Sequence, residues 1–433
     1  MRKIKTFIIS FCSFLFLVTV EDIYSQQITK YDSLYVSTQR TSNSKNEKRN
    51  FINGHRNYGV DFSANFTNDL LSNVSGGIST GSSYISLFEP VLTMDLSRAL
   101  NWEGANLLIS GIGTMGDDFY DEVGAEQGVD NIEAYHTWKI YELWLEQNLF
   151  NKALSLKFGL YDLNSEFDAR QSSSVFLNPS HGIGAEYALS GKNGPSIFPS
   201  TSLALRIKYN DNLGYYFQTA LLDGVPDNPD DQSGTQIILN KKDGLLLAVE
   251  TGLTENENNF GKGYEKFSVG GWYFTGNFRT LSENYNSVVP VYQKGNYGVY
   301  LSGEKFLWSK PGKSDEGIAV FFRAGVADNN VNKVDKYFGA GINCIGLIPG
   351  RDKDEFGIAL AAAHNNSKYV ALMKEDKKEV RNYESIIEIT YLFHFTDWLK
   401  VQPDLQYVFN PANCLNNNHS IIVGMRGELT LNY

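Results

Sequence analysis

Ile421-Ile422-Val423-Gly424-Met425-Arg426-Gly427-Glu428-Leu429-Thr430-Leu431-Asn432-Tyr433 closes the chain. Every odd position except Gly427 is apolar or aromatic, and the even positions from 424 to 432 are Gly, Arg, Glu, Thr and Asn. A period of two gives a β-strand one greasy face and one polar face. The run is as long as the roughly 9–11 residues that a tilted strand needs to cross a bilayer. Its last aromatic residue falls on the apolar face. Alternation extends back through residues 383–433, so the expected fold is all-β, a transmembrane antiparallel β-barrel.

The other end of the chain carries an export signal. Arg2, Lys3 and Lys5 form a positive n-region and residues 7–20 an apolar stretch, with cleavage expected after Ser25. The stretch is short for a transmembrane helix, and Glu21 and Asp22 follow it. Removing residues 1–25 takes away three positive and two negative charges, which moves the formal charge from −11 to −12. Residues 26–55 are polar and mixed in charge and read as a flexible leader. Residues 56–433 are then the barrel domain.

Composition agrees with strands, turns and aromatic girdles: 39 Gly, 25 Tyr and 27 Phe against 11 Pro. A mean hydropathy of −0.29 does not argue against a barrel, because lumen and loop residues cancel the lipid-facing ones. Of the three cysteines, Cys344 and Cys414 survive processing, too few for a disulfide framework. The acidic balance argues against nucleic acid as a partner. Strand-like windows recur at residues 91–96, 107–112, 139–147, 154–161, 203–209, 215–222, 245–253, 267–278, 317–326, 356–363, 384–393 and 401–409. Long polar connections such as residues 113–136 and 223–240 are set against short ones at 150–152 and 210–212. About 380 residues after the leader leave room for about 16 strands, at about 24 residues per strand and connection.

Two segments resemble a known family. Residues 141–150 (YELWLEQNLF), followed by LSLKFG at 154–159 and residues 162–168, form the first; TDWLKVQPDLQYVFNP at 396–411 is the second. Both are similar to the carbohydrate-selective porins of the OprB family. Weaker matches keep the same order at residues 94–96 with 101–104, at 220–226 and at 338–350. The resemblance implies a 16-stranded outer-membrane porin of the Gram-negative type, passing mono- and small oligosaccharides down their gradients. Its implied partners are carbohydrates, outer-membrane lipid and, through the C-terminal strand, the barrel-assembly machinery. It implies neither catalysis nor a cofactor. The alternatives are a general porin or one for organic acids or amino acids; a barrel enzyme and a plugged structural barrel are further rivals.

Alternation assigns faces. Tyr141, Leu143 and Leu145 are expected toward lipid, with Glu142, Trp144 and Glu146 toward the lumen. The same reasoning turns Lys157, Arg206, Lys208, Arg279, Arg323, Gln402, Asp404, Gln406, Arg426 and Glu428 inward. A charge facing lipid at mid-height costs about 2–4 kcal/mol. Asp162, Glu166, Asp168 and Arg170 follow a strand, where an inward loop would form a constriction. Such a wall suits sugars: planar polar groups replace hydroxyl hydration, and aromatic faces stack on the C–H side of a pyranose. The plainer reading of each charge is a wall-to-wall ion pair, and of Trp144 a packing anchor beneath a loop. Trp102, Trp308 and Trp398 read as girdle or turn residues.

Other motifs carry no chemistry. Residues 111–116 match G-x-G-x-x-G, but Asp117 and Asp118 stand where a pyrophosphate would sit and no helix start follows. Residues 77–81 match G-x-S-x-G in a Ser/Gly-rich turn without a following helix. The six histidines form no close ligand pair. The acidic loop 223–231 reads as solvated rather than as a calcium site.

Overall fold

A computed structural model describes residues 59–211, 213–231, 233–256, 260–281, 290–375, 380–411 and 419–432. The export signal, the leader, Cys414 and Tyr433 lie outside the described residues. The strands are β1 (Val60–Ser75), β2 (Gly81–Asp95), β3 (Ala105–Gly116), β4 (Thr137–Leu149), β5 (Leu154–Tyr161), β6 (Ser202–Asn210), β7 (Tyr215–Asp223) and β8 (Leu245–Glu255). They continue as β9 (Glu265–Arg279), β10 (Tyr292–Ser309), β11 (Gly317–Ala327), β12 (Val334–Ile345), β13 (Glu355–Asn365), β14 (Tyr383–His394), β15 (Leu399–Phe409) and β16 (Ser420–Asn432). Each pairs antiparallel with its neighbours in the chain, and β1 pairs with β16 to close one barrel. Closure satisfies the ladder's N–H and C=O groups without water, which an open sheet in lipid does not do. No described helix is long and apolar enough to cross a membrane. The crossing elements are strands.

The side-chain period survives along most strands. In β16, Val423, Met425, Leu429 and Leu431 are exposed on the outside, whereas Ile422, Arg426 and Thr430 are buried within. In β15, Lys400, Gln402, Asp404, Gln406 and Val408 all turn inward. The two rims differ. Connections at residues 117–136, 162–201, 224–244 and 366–382 crowd one end, and tight turns at 150–153, 211–214 and 395–398 mark the other. Turn backbone explains the tightness at 150–153, where Phe150, Asn151 and Lys152 all take left-handed φ. Trp308 and Trp398 are exposed near the tight-turn rim, while Trp102 donates to Gln147 Oε1 at 2.8 Å.

Two side chains depart from the expected faces. Tyr141 is buried inside, not turned to lipid. Ser110 pairs with Glu142 and Gly111 with Ile140, so Tyr141 is an extra residue in β4. A bulge of this kind inverts the faces on either side of it. Arg279 is the second: it ends β9 on the exposed, outward parity, the even residues Trp272, Phe274 and Phe278 being the ones buried. Aromatic residues occupy both faces of β9, which erases the alternation that would have shown this. At the end of its strand an outward arginine reaches past the apolar band toward polar surroundings.

Candidate functional site

The barrel does not enclose an empty lumen. Past Tyr161, Asp162 accepts from Asn164 N (2.8 Å) and caps a single helical turn that steers the chain inward. Leu163, Phe167, Ile183 and Tyr187 then pack on Leu222, Leu246, Ala248, Trp272, Phe274 and Tyr300 of the inner wall. Tyr187 stacks on Trp272 with centroids 4.0 Å apart, a contact worth about 0.5–1.5 kcal/mol beyond its area. The connection at 117–136 does likewise against another arc: Phe119, Val123, Ala125, Val129 and Ile132 cluster with Leu71, Ile85, Leu87, Ile112, Ile386, Val408 and Ile422. Asn178 Nδ2 joins the two loops by donating to Gly128 O at 2.9 Å.

Wall charges fasten these loops. Arg206 donates to Glu166 from Nε and Nη2 (both 2.7 Å) and to Glu146 (2.8 Å). Lys157 lies 3.3 Å from Glu166 and 4.2 Å from the centre of the Trp144 ring. Burial would raise the Glu166 pKa, but Arg206 and Lys157 outweigh it and hold the carboxyl well below the usual carboxylate range. Arg323 reaches Asp168 Oδ2 at 2.9 Å and also pairs with Glu186, while Arg170 holds Asp168 Oδ1 at 2.5 Å. His181 packs between Phe176 and Phe321; burial and then Arg170 push its pKa down to about 3, so it is neutral.

Four further wall glutamates were not singled out from the sequence. Glu250 accepts from Asp168 N (2.8 Å), Glu304 from Gln171 N and Ser172 N (3.1 and 2.8 Å), and Glu388 from Leu177 N and Asn178 N (2.6 and 3.0 Å). Glu384 accepts from Glu126 N and Gln127 N, both at 2.9 Å. All four are buried. A signal existed for Glu388, an acid between Ile387 and Ile389; Glu250, Glu304 and Glu384 are each followed by a polar residue (Thr251, Lys305, Ser385), which hides the alternation.

An eccentric cavity of about 760 Å³ lies open between the two loops and the wall of β1, β2 and β14–β16. Glu89, Asp117, Asp118, Glu126, Asp130, Glu133, Asp162 and Glu428 line it against two guanidiniums, Arg170 and Arg426. Glu142, Trp144, Glu146, Lys157, Asp168, Arg206 and Arg323 are instead buried beneath or within the loops, and Asp404 is buried on the inner wall. Lys208 is half-buried and faces the Tyr216 ring at 5.8 Å. Burial, then the neighbouring Asp69, pushes the Asp130 carboxyl well above its ordinary value against the opposing pull of Arg426. Burial carries Glu133 up to about 7.

The sequence profile of the "Carbohydrate-selective porin, OprB family" matches residues 79–431. The chain belongs to this family. This porin is 23% identical over 401 residues to Porin B of Pseudomonas aeruginosa, covering 85% of this chain and 87% of that protein. It is 21% identical to Porin AaxA of Chlamydia abortus over 360 residues, or 79% of this chain and 71% of that one. Among solved structures, the high-pH form of Pseudomonas putida OprB superposes with a TM-score of 0.76 at 20% identity, over 87% of this chain and 95% of that one. The fold is therefore that of the OprB porins, a channel for passive, carbohydrate-selective diffusion rather than an enzyme scaffold, and the family and barrel imply the outer membrane.

Proposed function

We propose that the eccentric cavity is the solute path, and that it passes neutral mono- and small oligosaccharides while disfavouring anions. The observation that carries this reading is the lining: eight carboxylates and two guanidiniums around a space of about 760 Å³. That volume lies within the roughly 300–1,000 Å³ of small-molecule sites. Asn65, Asn131, Asn164 and Gln402 on the same surface offer amides to hydroxyl groups. Binding there has to be weak and repeated, since a solute held tightly does not leave. An organic-acid porin would meet like charge along this path, so the sugar reading is preferred. Arg206, Lys157, Arg323 and their acidic partners act as fasteners of the path's loop side.

The same reading sets the protein in a Gram-negative outer membrane after export through residues 1–25, with residues 56–433 as the barrel domain. Its outer apolar band meets lipid, and its C-terminal strand is the feature offered to the barrel-assembly machinery.

Liposome swelling with purified protein tests the assignment. Glucose is expected to enter faster than an amino acid or an organic acid of similar size, with a disaccharide slower than glucose. Entry ordered by size alone would make this a general porin, and no swelling would end the open-channel reading.

A pH dependence follows from Glu133. Its pKa near 7 leaves it ionised above that pH and protonated below, and Asp130 shifts in the same direction. Repulsion of anions is therefore greatest above pH 7 and weakens as the pH falls. The entry rate of gluconate relative to glucose is expected to rise between pH 8 and pH 6. A flat ratio would show that these carboxyls do not face the solute.

A further inference from the structure

We infer that Glu388 is a positioning residue that sets the channel's aperture by gripping main-chain amides at the tip of the inward loop. The inference rests on the reading of the cavity as the solute path. The loop of residues 162–201 makes an excursion across the lumen. It leaves the wall near Glu250 on β8 and meets Glu304 on β10. It returns past Tyr337 on β12, whose hydroxyl donates to Ser180 O at 2.7 Å, and past Arg323 on β11, which pairs with Glu186. Its farthest point is residues 175–178. There Glu388 accepts from Leu177 N and Asn178 N, and Gln402 donates to Val175 O at 2.6 Å.

Val175, Phe176 and Asn178 at this tip line the open cavity. The tip therefore stands between the filled part of the lumen and the open part, and its position decides how wide the open part is. Glu388 is fully buried, so its two amide contacts are shielded from water. Its hydrogen bonds at the tip are to backbone, and they fix where the tip lies without fixing which side chains residues 177 and 178 present. Solute-facing residues of the tip can then be exchanged without moving it. Size limit and chemical preference rest mainly on different groups: Glu388 for the first, and the lining side chains, Gln402 among them, for the second.

Single-channel conductance in planar bilayers, with liposome swelling by a graded series from glucose to a trisaccharide, tests this on the full chain. Single-channel conductance, and swelling rates taken relative to glucose, report on folded channels, so a loss of folded yield does not move them. Glu388→Ala is expected to raise conductance roughly two-fold and admit the trisaccharide, as a wider pore would. Glu388→Gln, which keeps one acceptor oxygen, is expected to show a smaller rise, and it serves as the working variant if Glu388→Ala yields no channels. Glu428→Gln, on the cavity wall away from the tip, is expected to alter charge preference with the size limit unchanged. Unchanged conductance and unchanged trisaccharide exclusion in both Glu388 variants would overturn the inference. If wild-type channels conduct ions but pass no sugar, the solute-path reading fails instead.

Discussion

Arg323→Ala is expected to be among the most damaging single substitutions in this porin, with about 3–5 kcal/mol of stability lost. The guanidinium is buried and divided between Asp168 and Glu186, both also buried. Removing it leaves two carboxylates without their main counter-charge, although Asp168 retains Arg170. The loss falls on both limbs of the inward loop, at Asp168 on the way out and at Glu186 on the return. Arg323→Lys is expected to restore little, because one ammonium does not reproduce a planar fork that serves two acids. Replacing all three partners, together with Arg170, which also pairs with Asp168, by apolar residues of similar size is expected to recover most of the stability, since an ion pair in the interior is no firmer than good packing. Midpoints of heat-induced unfolding, followed by gel mobility, test the series. Equal midpoints for wild type and Arg323→Ala would mean that the pairs contribute nothing.

Arg426→Gln is expected to act on stability and on selectivity together. Arg426 holds Asp69 by bonds of 2.8 and 2.6 Å and also reaches Asp130 (3.3 Å) and Asn131 (2.8 Å). Asp69 and Arg426 are register partners across the closing pair β1–β16, so this bridge spans the line where the barrel shuts. Without it, Asp69 and Asp130 are left as buried carboxyls with no counter-charge in this bridge, again at about 3–5 kcal/mol. The cavity would also keep only Arg170 as a guanidinium among its charged lining. Gluconate entry relative to glucose is therefore expected to fall several-fold above pH 7, because the narrow path loses one of its two fixed positive charges. An unchanged ratio would place Arg426 off the solute's route even though it lines the cavity.

The barrel was legible because lipid enforces a rule on one face. Residues 421–431 show it plainly, and most strand windows were found the same way. The strands without a named window were β1, β10 and β12. In β1, Asn68 and Ser72 face outward and interrupt the apolar side, bonding instead to Tyr84 and Ser82 on β2. In β10 and β12, glycines and inward aromatics such as Tyr300 and Tyr337 blur the contrast. The interior was harder to read. An inner wall carrying Trp272, Phe274 and Tyr300 is apolar because a loop covers it, and no local pattern announces a distant cover. Arg279 was misplaced for that reason, and Tyr141 because a single bulge leaves no mark in composition. Asp162 to Arg170 were suspected as an inward loop, but their partners Arg206 and Arg323 lie far along the chain. Pairing of that kind is decided by the fold.

The join between β1 and β16 also bears on how the molecule can form. Its register runs from Ser63 opposite Asn432 to Ser75 opposite Ile421, so the contacts that shut the cylinder link segments more distant in sequence than any other strand pair. Contacts of such high separation are slow to make. Before residues 420–432 arrive, β1 and β15 both present rows of unpaired N–H and C=O groups, a surface prone to adhesion with other chains. No partial chain escapes that hazard by closing early. Covering those two edges until the final strand pairs would remove that hazard.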